Sequence, residues 1–336
     1  MSSSYRLRNW SEYEHALEQR GSLSLLIPEN TLRAWSAAAG VAARPTAGQA
    51  VAPRRRGRPR CYSDAAITSL LTLQTLFHLG LRETVGLARS LFALLQLTLP
   101  VPDHTTLARR RAQLRLGLPV SRPTAPLHLV VDSTGLALRQ EGHWQLHRTG
   151  PHGPLTLAWK CHYRRIHLGV DAATGELRAL GVSSMSVTDA DMLPLLLPAV
   201  TVPLQQVTAD GAYDKWKCYE AVAARPEHPR AVFPPPRLGK RRHYPRIRQH
   251  GNSRAPPLDR DAHIRRIRRV GRARWKAECG YHRRSLAETF ISRAKRLFGD
   301  RLTSHSFDSQ CTEVFLRGAL LNQFLWLGQP DSYRVA

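Results

Sequence analysis

From Pro119 onward the chain alternates short β-rich runs with helical segments. That alternation confines this part of the protein to an α/β domain with a mixed sheet. Leu127–Val131 is an apolar, β-rich run that closes on Asp132. Ile166–Asp171 and Leu177–Val182 flank Ala-Thr-Gly-Glu and predict a β-hairpin. Asp189–Leu197 predicts a helix, and Val207–Ala209 a short strand closing on Asp210. Lys215–Ala224 follows as a helix, and Ala231–Phe233 as a last strand stopped by Pro234, Pro235 and Pro236. Two helices close the chain, about Ser285–Phe298 and Ser309–Trp326.

The first part of the chain has a different character. Tyr5, Trp10, Tyr13 and Leu17 recur at roughly helical spacing, so residues 5–40 predict helix, with Gly21 as a break and Pro28 opening a second short element. Residues 41–62 form a basic linker rich in Pro, Gly and Arg. Arg56-Gly57-Arg58-Pro59 within it matches the core of a hook that lays arginines in the narrow minor groove of A·T-rich DNA. A generic phosphate-binding linker fits the same residues. From Ser63 the pattern is helical: a helix to about His78, a second around Arg82–Leu94, and a short element at His104–Arg115 carrying Arg109, Arg110, Arg111 and Arg115. That unit fits a helix-turn-helix-like DNA reader or an ordinary bundle with a basic face. The chain thus divides into a helical N-terminal region, 1–120, and an α/β domain, 121–330. Residues 237–276 form a charged loop or insertion in the latter, with 15 Lys+Arg against Asp259 and Asp261.

Composition narrows the partner. The 336 residues carry 50 Lys+Arg against 25 Asp+Glu, a formal charge of +25, whose self-repulsion is ordinarily tolerated where the partner is a polyanion. A hydrophobic content of 42% excludes a basic disordered tail. At 7%, aromatic residues are too few to make a stacking platform for single strands the first expectation. Residues 1–20 have no apolar core of a signal peptide. The long uncharged stretch Met192–Ala209 is broken by Pro194, Pro198 and Pro203 and cannot span a bilayer. Five scattered cysteines without a C-x-x-C read as reduced thiols, so a cytoplasmic protein without membrane attachment is expected. Cys279 and His282 make only half a zinc knuckle.

Three carboxylates stand out. Asp132 and Asp210 each follow a β-rich run, Glu288 lies on the penultimate helix, and 78 residues separate each from the next. Converging carboxylates are hard oxygen ligands for Mg²⁺, and a pair of such ions roughly 3.5–4 Å apart stabilises both attacking and leaving oxygens in phosphoryl displacement. Each has a plainer reading. An Asp at a strand end often forms a turn, and Ser285-Leu-Ala-Glu288 is a capping box. Tyr281, Arg284, Glu288, Ser292 and Lys295 form one polar face if the helix begins near Tyr281. Leu286, Phe290, Ile291, Ala294, Leu297 and Phe298 then occupy the other side and face the sheet.

The spacing Tyr281-x2-Arg284-x3-Glu288-x6-Lys295 matches in every residue and gap the signature of DDE insertion-sequence transposases, of the kind typified by the fourth and fifth insertion sequences. VVDSTGL around Asp132 resembles the first-aspartate motif of that family, and TADGAYD around Asp210 the second. The opening YRLRNWSEYEHALEQRGSL is similar to the start of the fifth-insertion-sequence subgroup.

The resemblance implies an RNase H-like mixed-sheet catalytic domain preceded by an all-helical DNA-binding region. It implies that Asp132, Asp210 and Glu288 bind two Mg²⁺ ions, with Mn²⁺ able to substitute, and that Tyr281, Arg284 and Lys295 contact DNA phosphates. Arg109, Arg110, Arg56 and Arg58 are the candidate DNA contacts of the N-terminal region. The partners expected are terminal inverted repeats and target DNA. Pairing two transposon ends needs at least two protomers, hence a homo-oligomer on DNA, nucleoid-associated in the cytoplasm. Lys160 lies where such proteins often carry a basic residue. Asp171, in Gly-Val-Asp-x-x-Thr-Gly, reads as a turn residue, and Asp189 and Asp191 as helix caps. A nuclease on the same fold and a non-catalytic DNA-binding protein are the rival readings.

Overall fold

The computed structural model describes residues 4–36, 61–148, 155–236 and 259–335. In chain order the elements are β1 (Ser4–Leu7), α1 (Trp10–Gln19), α2 (Leu23–Leu26), α3 (Glu29–Arg33), α4 (Asp64–Phe77), α5 (Leu81–Leu94) and α6 (His104–Arg111). Then follow β2 (Leu127–Arg148), β3 (Leu155–Asp171), β4 (Leu177–Ser184), α7 (Asp189–Leu196), β5 (Leu204–Thr208), α8 (Trp216–Ala223) and β6 (Arg230–Val232). The chain continues through α9 (Asp259–Val270), α10 (Arg272–Glu278), α11 (Ser285–Phe298), β7 (Arg301–Leu302), α12 (Phe307–Leu327) and β8 (Ser332–Val335). It forms two compact units: residues 1–116 with 306–316 and 326–336, and residues 117–305 with 317–325. The last helix is thus shared, whereas the sequence pattern placed all of 121–330 in one domain.

The first unit is built on α4, whose N-cap Ser63 accepts from Ala66 N–H. Trp35 is fully buried, packs edge-on against Phe92 at 5.0 Å and donates its indole N–H to the Pro100 carbonyl at 2.7 Å. Asp103 caps α6 by accepting from Thr105 and Thr106 N–H. This region is not all helical. Tyr5 lies in β1, paired antiparallel with β8, and Asn9 is held by the Gln329 carbonyl and Asp331 N–H. The apparent stripe is not a core stripe: Tyr5 is 63% and Trp10 55% exposed, and α1 buries only Ala16.

The second unit holds a mixed sheet of order β4-β3-β2-β5-β6, with β7 also pairing β2. β2–β3 and β3–β4 are antiparallel; β2–β5, β5–β6 and β2–β7 are parallel. This α/β arrangement fits an RNase H-like fold. Leu129, Val130 and Val131 are buried whichever face they point to, as a central strand covered on both sides requires. One face packs Leu129 and Val131 with Ala190, Leu193 and Leu196 of α7 and Cys218, Tyr219 and Val222 of α8. At the edge strand β4, Asn322 of α12 pairs with the Leu177 peptide, accepting its N–H at 2.8 Å and donating to its carbonyl at 2.9 Å. Gly318 admits that approach, since a Cβ there would come within 2.8 Å of a Leu177 methyl.

Two sequence expectations change here. β2 does not end at Asp132 but runs on, paired with β3. The hydrophobic run is interrupted because residues 132–135 are only partly buried, and burial resumes at Leu136, Ala137 and Leu138 of the same strand. Residues 259–276 of the expected charged loop are instead α9 and most of α10. Their periodicity is faint because only Asp261, His263, Ile264 and Trp275 are buried there. Residues 237–258 lie outside the described residues.

Candidate active site

The sheet register brings the two aspartates to one level. Val130 pairs with Thr208 across the parallel β2–β5 ladder, an offset of 78 residues, and the same offset relates Asp132 to Asp210. β5 stops at Thr208, so Asp132 lies where the central strand passes the carboxyl end of its neighbour. Asp132 Oδ1 accepts from Ser133 N–H at 2.8 Å. Asp210 caps a 3-10 turn, Gly211–Tyr213, and its Oδ1 accepts from Ala212 N–H at 2.9 Å.

The third carboxylate arrives on α11, entered through a tight turn. Gly280, at φ 65°, takes the left-handed conformation that ends α10 and starts the 3-10 turn Tyr281–Arg284. α11 then packs on β2 and β3 through Ala287, Phe290 and Phe298. Leu297, expected on that face, is exposed. The capping-box reading of Glu288 does not hold: Ser285 Oγ donates to the His282 carbonyl, and the Glu288 carboxylate is paired with Arg284. Arg284 also places Nη1 3.3 Å from Asp132 Oδ2, so one guanidinium joins the strand carboxylate to the helix carboxylate.

The electrostatics follow from that geometry. Burial raises the pKa of Asp132, and the charges of Asp210 and Glu288 push the same way, against Ser133 N–H and Arg284. Burial opposes the charge on Arg284, yet Tyr281, Glu288 and Asp132 outweigh it and its pKa is raised. Among the described residues no three His, Cys, Asp or Glu side chains cluster closely enough to hold one ion. The tight element is Asp132–Arg284–Glu288, with Asp210 near enough to bias Asp132.

Tyr281 is half-buried, tilted on Trp275 at 6.1 Å, with Lys276 Nζ 4.9 Å from its ring centre. Lys295 lies two turns beyond Glu288 on the same face of α11. Arg109 is exposed in the last turn of α6. Arg110, expected to contact DNA, is only 5% exposed; it donates to the Tyr62 carbonyl at 2.9 Å and pairs with Asp64, which makes it a tether of the helical unit. Arg56 and Arg58 lie outside the described residues. Lys160 is in β3, in register with His143.

Asp171 accepts from Ala173 N–H and Thr174 Oγ1, as its turn context predicts. Asp191 completes a capping box with Thr188, whereas Asp189, expected as a cap, faces Arg165 and His167. One supporting cluster escaped the sequence pattern. Gln206 Nε2 donates to Thr208 Oγ1 at 2.9 Å and to the Cys279 carbonyl at 3.1 Å, and lies 3.2 Å from His128 Nε2. It ties the sheet to the start of the turn that carries Tyr281. The available signal was polar residues at 128, 206 and 208 interspersed among the apolar residues of the two strands.

Among the described residues no helix is long and apolar enough to cross a membrane. No solved structure matches the chain significantly. Two family models do, both described as a transposase DDE domain, one over residues 18–141 and the other over residues 123–323. The second covers more than half of the protein and takes in Asp132, Asp210 and Glu288 together with the sheet and helices that carry them. The chain therefore belongs to the DDE transposases, enzymes that act on DNA.

Proposed function

We propose that this protein is the transposase of an insertion sequence, in the family typified by the fourth and fifth insertion sequences and closest to the fifth-insertion-sequence subgroup. It binds terminal inverted repeats, cleaves at the element ends and joins the freed ends to target DNA. The observation that supports this reading is the Arg284 guanidinium shared by Asp132 and Glu288. Carboxylates from a strand and a helix are collected around one cation beside Asp210, an arrangement suited to chemistry on a phosphodiester.

Asp132, Asp210 and Glu288 would hold divalent ions, Mg²⁺ with Mn²⁺ able to substitute. The donor set is all oxygen, as a hard cation prefers, and burial, which raises the pKa of Asp132, strips that carboxylate of solvent that a bound cation would replace. When bound, such ions activate the attacking hydroxyl and neutralise charge on the leaving oxygen. The remaining work falls to the chain. Ser133 and Ala212 N–H orient the two aspartates before substrate arrives. Tyr281, Arg284 and Lys295 grip phosphates along the face of α11, Arg284 exchanging carboxylate for phosphate as DNA enters. Water attacks phosphorus as the bond to the 3′-oxygen breaks. The freed 3′-hydroxyl then attacks a target phosphorus and displaces a target 3′-oxygen. No bond to the protein forms in either step.

The helical unit, its linker and Arg109 engage the transposon ends, and a homo-oligomer on DNA pairs two of them, nucleoid-associated in the cytoplasm. The test is a terminal-repeat duplex with Mg²⁺. Asp132→Asn, Asp210→Asn and Glu288→Gln should each abolish cleavage while end binding persists, and the unaltered protein should join 3′ ends to a target plasmid. Cleavage retained in two of the three variants overturns the site, and hydrolysis without joining makes the enzyme a nuclease.

A further inference from the structure

Three buried polar atoms near the site lack a hydrogen-bond partner among the described residues: His167 Nδ1, Asp189 Oδ1 and the Tyr213 hydroxyl. They come from β3, from the first residue of α7, and from the 3-10 turn that Asp210 caps. α7 packs against both β3 and that turn, so the three belong to one packed corner.

Hydrogen-bond chemistry assigns the donors. Ser183 Oγ has one proton and lies 3.1 Å from the Ser184 carbonyl, which can only accept. His167 Nε2, 2.8 Å from the same oxygen, is then the donor in that bond. Burial, with Arg165 nearby, holds the pKa of His167 down to about 4 against the opposing charge of Asp189, so the ring is neutral and Nδ1 carries a lone pair. That lone pair faces Asp189 Oδ1 at 3.5 Å, acceptor to acceptor. Arg165 Nη1, 3.7 Å from the same Asp189 oxygen, is beyond hydrogen-bond reach and donates to the Val187 carbonyl instead, so the missing donor falls to Tyr213. Burial raises its pKa, and of the charges that raise it further Asp189 ranks first, ahead of Asp132 and Asp210. Two acceptors and one donor are the valence of one water molecule, which accepts from the phenol and donates to the imidazole and the carboxylate.

We propose that Tyr213, His167 and Asp189 together hold one buried water molecule, and that through it Tyr213 and Asp189 are positioning residues for Asp210. The link is short. Tyr213 closes the turn whose Ala212 N–H fixes the Asp210 carboxylate, so a turn anchored by its hydroxyl holds that carboxylate at one height beside Asp132. This rests on the assignment of Asp210 to the site.

Tyr213→Phe removes one oxygen and keeps the ring, so the variant folds. If the hydroxyl serves nothing, losing an unsatisfied buried group leaves the thermal midpoint unchanged or raises it. On the proposal, the midpoint falls, and Mn²⁺ binding to the DNA-free protein, followed by electron paramagnetic resonance, weakens about tenfold. Asp189→Asn should act alike, and the double variant should resemble the worse single one, because both break the same bridge. Additive effects, or a Phe variant as stable and as tight for Mn²⁺ as the parent, overturn the proposal. Asp210→Asn separates the two levels. If it leaves Mn²⁺ affinity unchanged, the site assignment and the positioning role fall together, while additivity in the midpoints still decides the bridge.

Discussion

Arg284 Nη1 lies 3.3 Å from Asp132 Oδ2 while the same guanidinium pairs with Glu288, one helical turn further on. The residue that the DDE signature assigns to phosphate is thus the counter-ion of two site carboxylates. Arg284→Gln should lower the stability of the metal-free protein by about 1–2 kcal/mol, a modest value because Glu288 is half-exposed. Mn²⁺ should then raise the thermal midpoint of the variant more than that of the parent, since the cation replaces a lost charge. Equal shifts in both proteins would show that Arg284 and metal do not share the carboxylates.

Much of the geometry of this candidate site is legible in the sequence. The helical spacing of Tyr281, Arg284, Glu288 and Lys295 places them on one face because the 3-10 turn and α11 run on without a break. The offset of 78 between Asp132 and Asp210 carried the parallel register of β2 and β5, though only the fold reveals that meaning. What stayed hidden depends on pairing across the chain. Arg110 reads as a surface cation in its helix, and only the approach of Tyr62 and Asp64 shows it buried. Tyr5 completes a helical stripe on paper, yet β8, more than 320 residues later, draws it into a strand. Charge density masked α9, whose few buried residues anchor it locally while its arginines dominate the composition.

Asn322 offers a sharper stability test than any hydrophobic position. Its side chain is fully buried and makes bonds to Leu177 N–H, the Leu177 carbonyl and the Pro119 carbonyl. Asn322→Leu keeps the branched shape, though with bulkier methyls, and leaves the edge-strand peptide unsatisfied. A loss of about 2–4 kcal/mol in urea unfolding is expected. A loss below about 0.5 kcal/mol would mean that water replaces the amide at no cost.

Acid sensitivity should have a histidine component. His128 and His167 are each held down to about 4, by burial first. Arg283 adds to the shift at His128 and Asp171 opposes it, while Arg165 and Asp189 play those parts at His167. The unfolded chain therefore takes up these protons first, near pH 6.5. Stability is complete above that pH and declines as pH falls toward 4, by up to about 3 kcal/mol for His167 and less for the partly accessible His128. His167→Gln should flatten the urea midpoint between pH 6.5 and 4. An unchanged slope would remove His167 from the account.

The arginines of α9 and α10 sort into two groups whose consequences differ. Arg260 is paired with Asp214 at 2.8 Å, and Arg266 donates two bonds to Glu278. These charges are neutralised within the fold. Arg265 and Arg269 are exposed on α9, ahead of the turn that carries Tyr281 and Arg284. If that face meets DNA, each exposed arginine releases about 0.9 of a counter-ion on binding. Arg265→Ala with Arg269→Ala should then weaken binding to a terminal-repeat duplex and flatten the log–log salt dependence by about two. Arg260→Ala should lower the unfolding midpoint and leave that slope alone, because its partner is Asp214 rather than phosphate. The same slope after loss of Arg265 and Arg269 would place the DNA elsewhere on the protein.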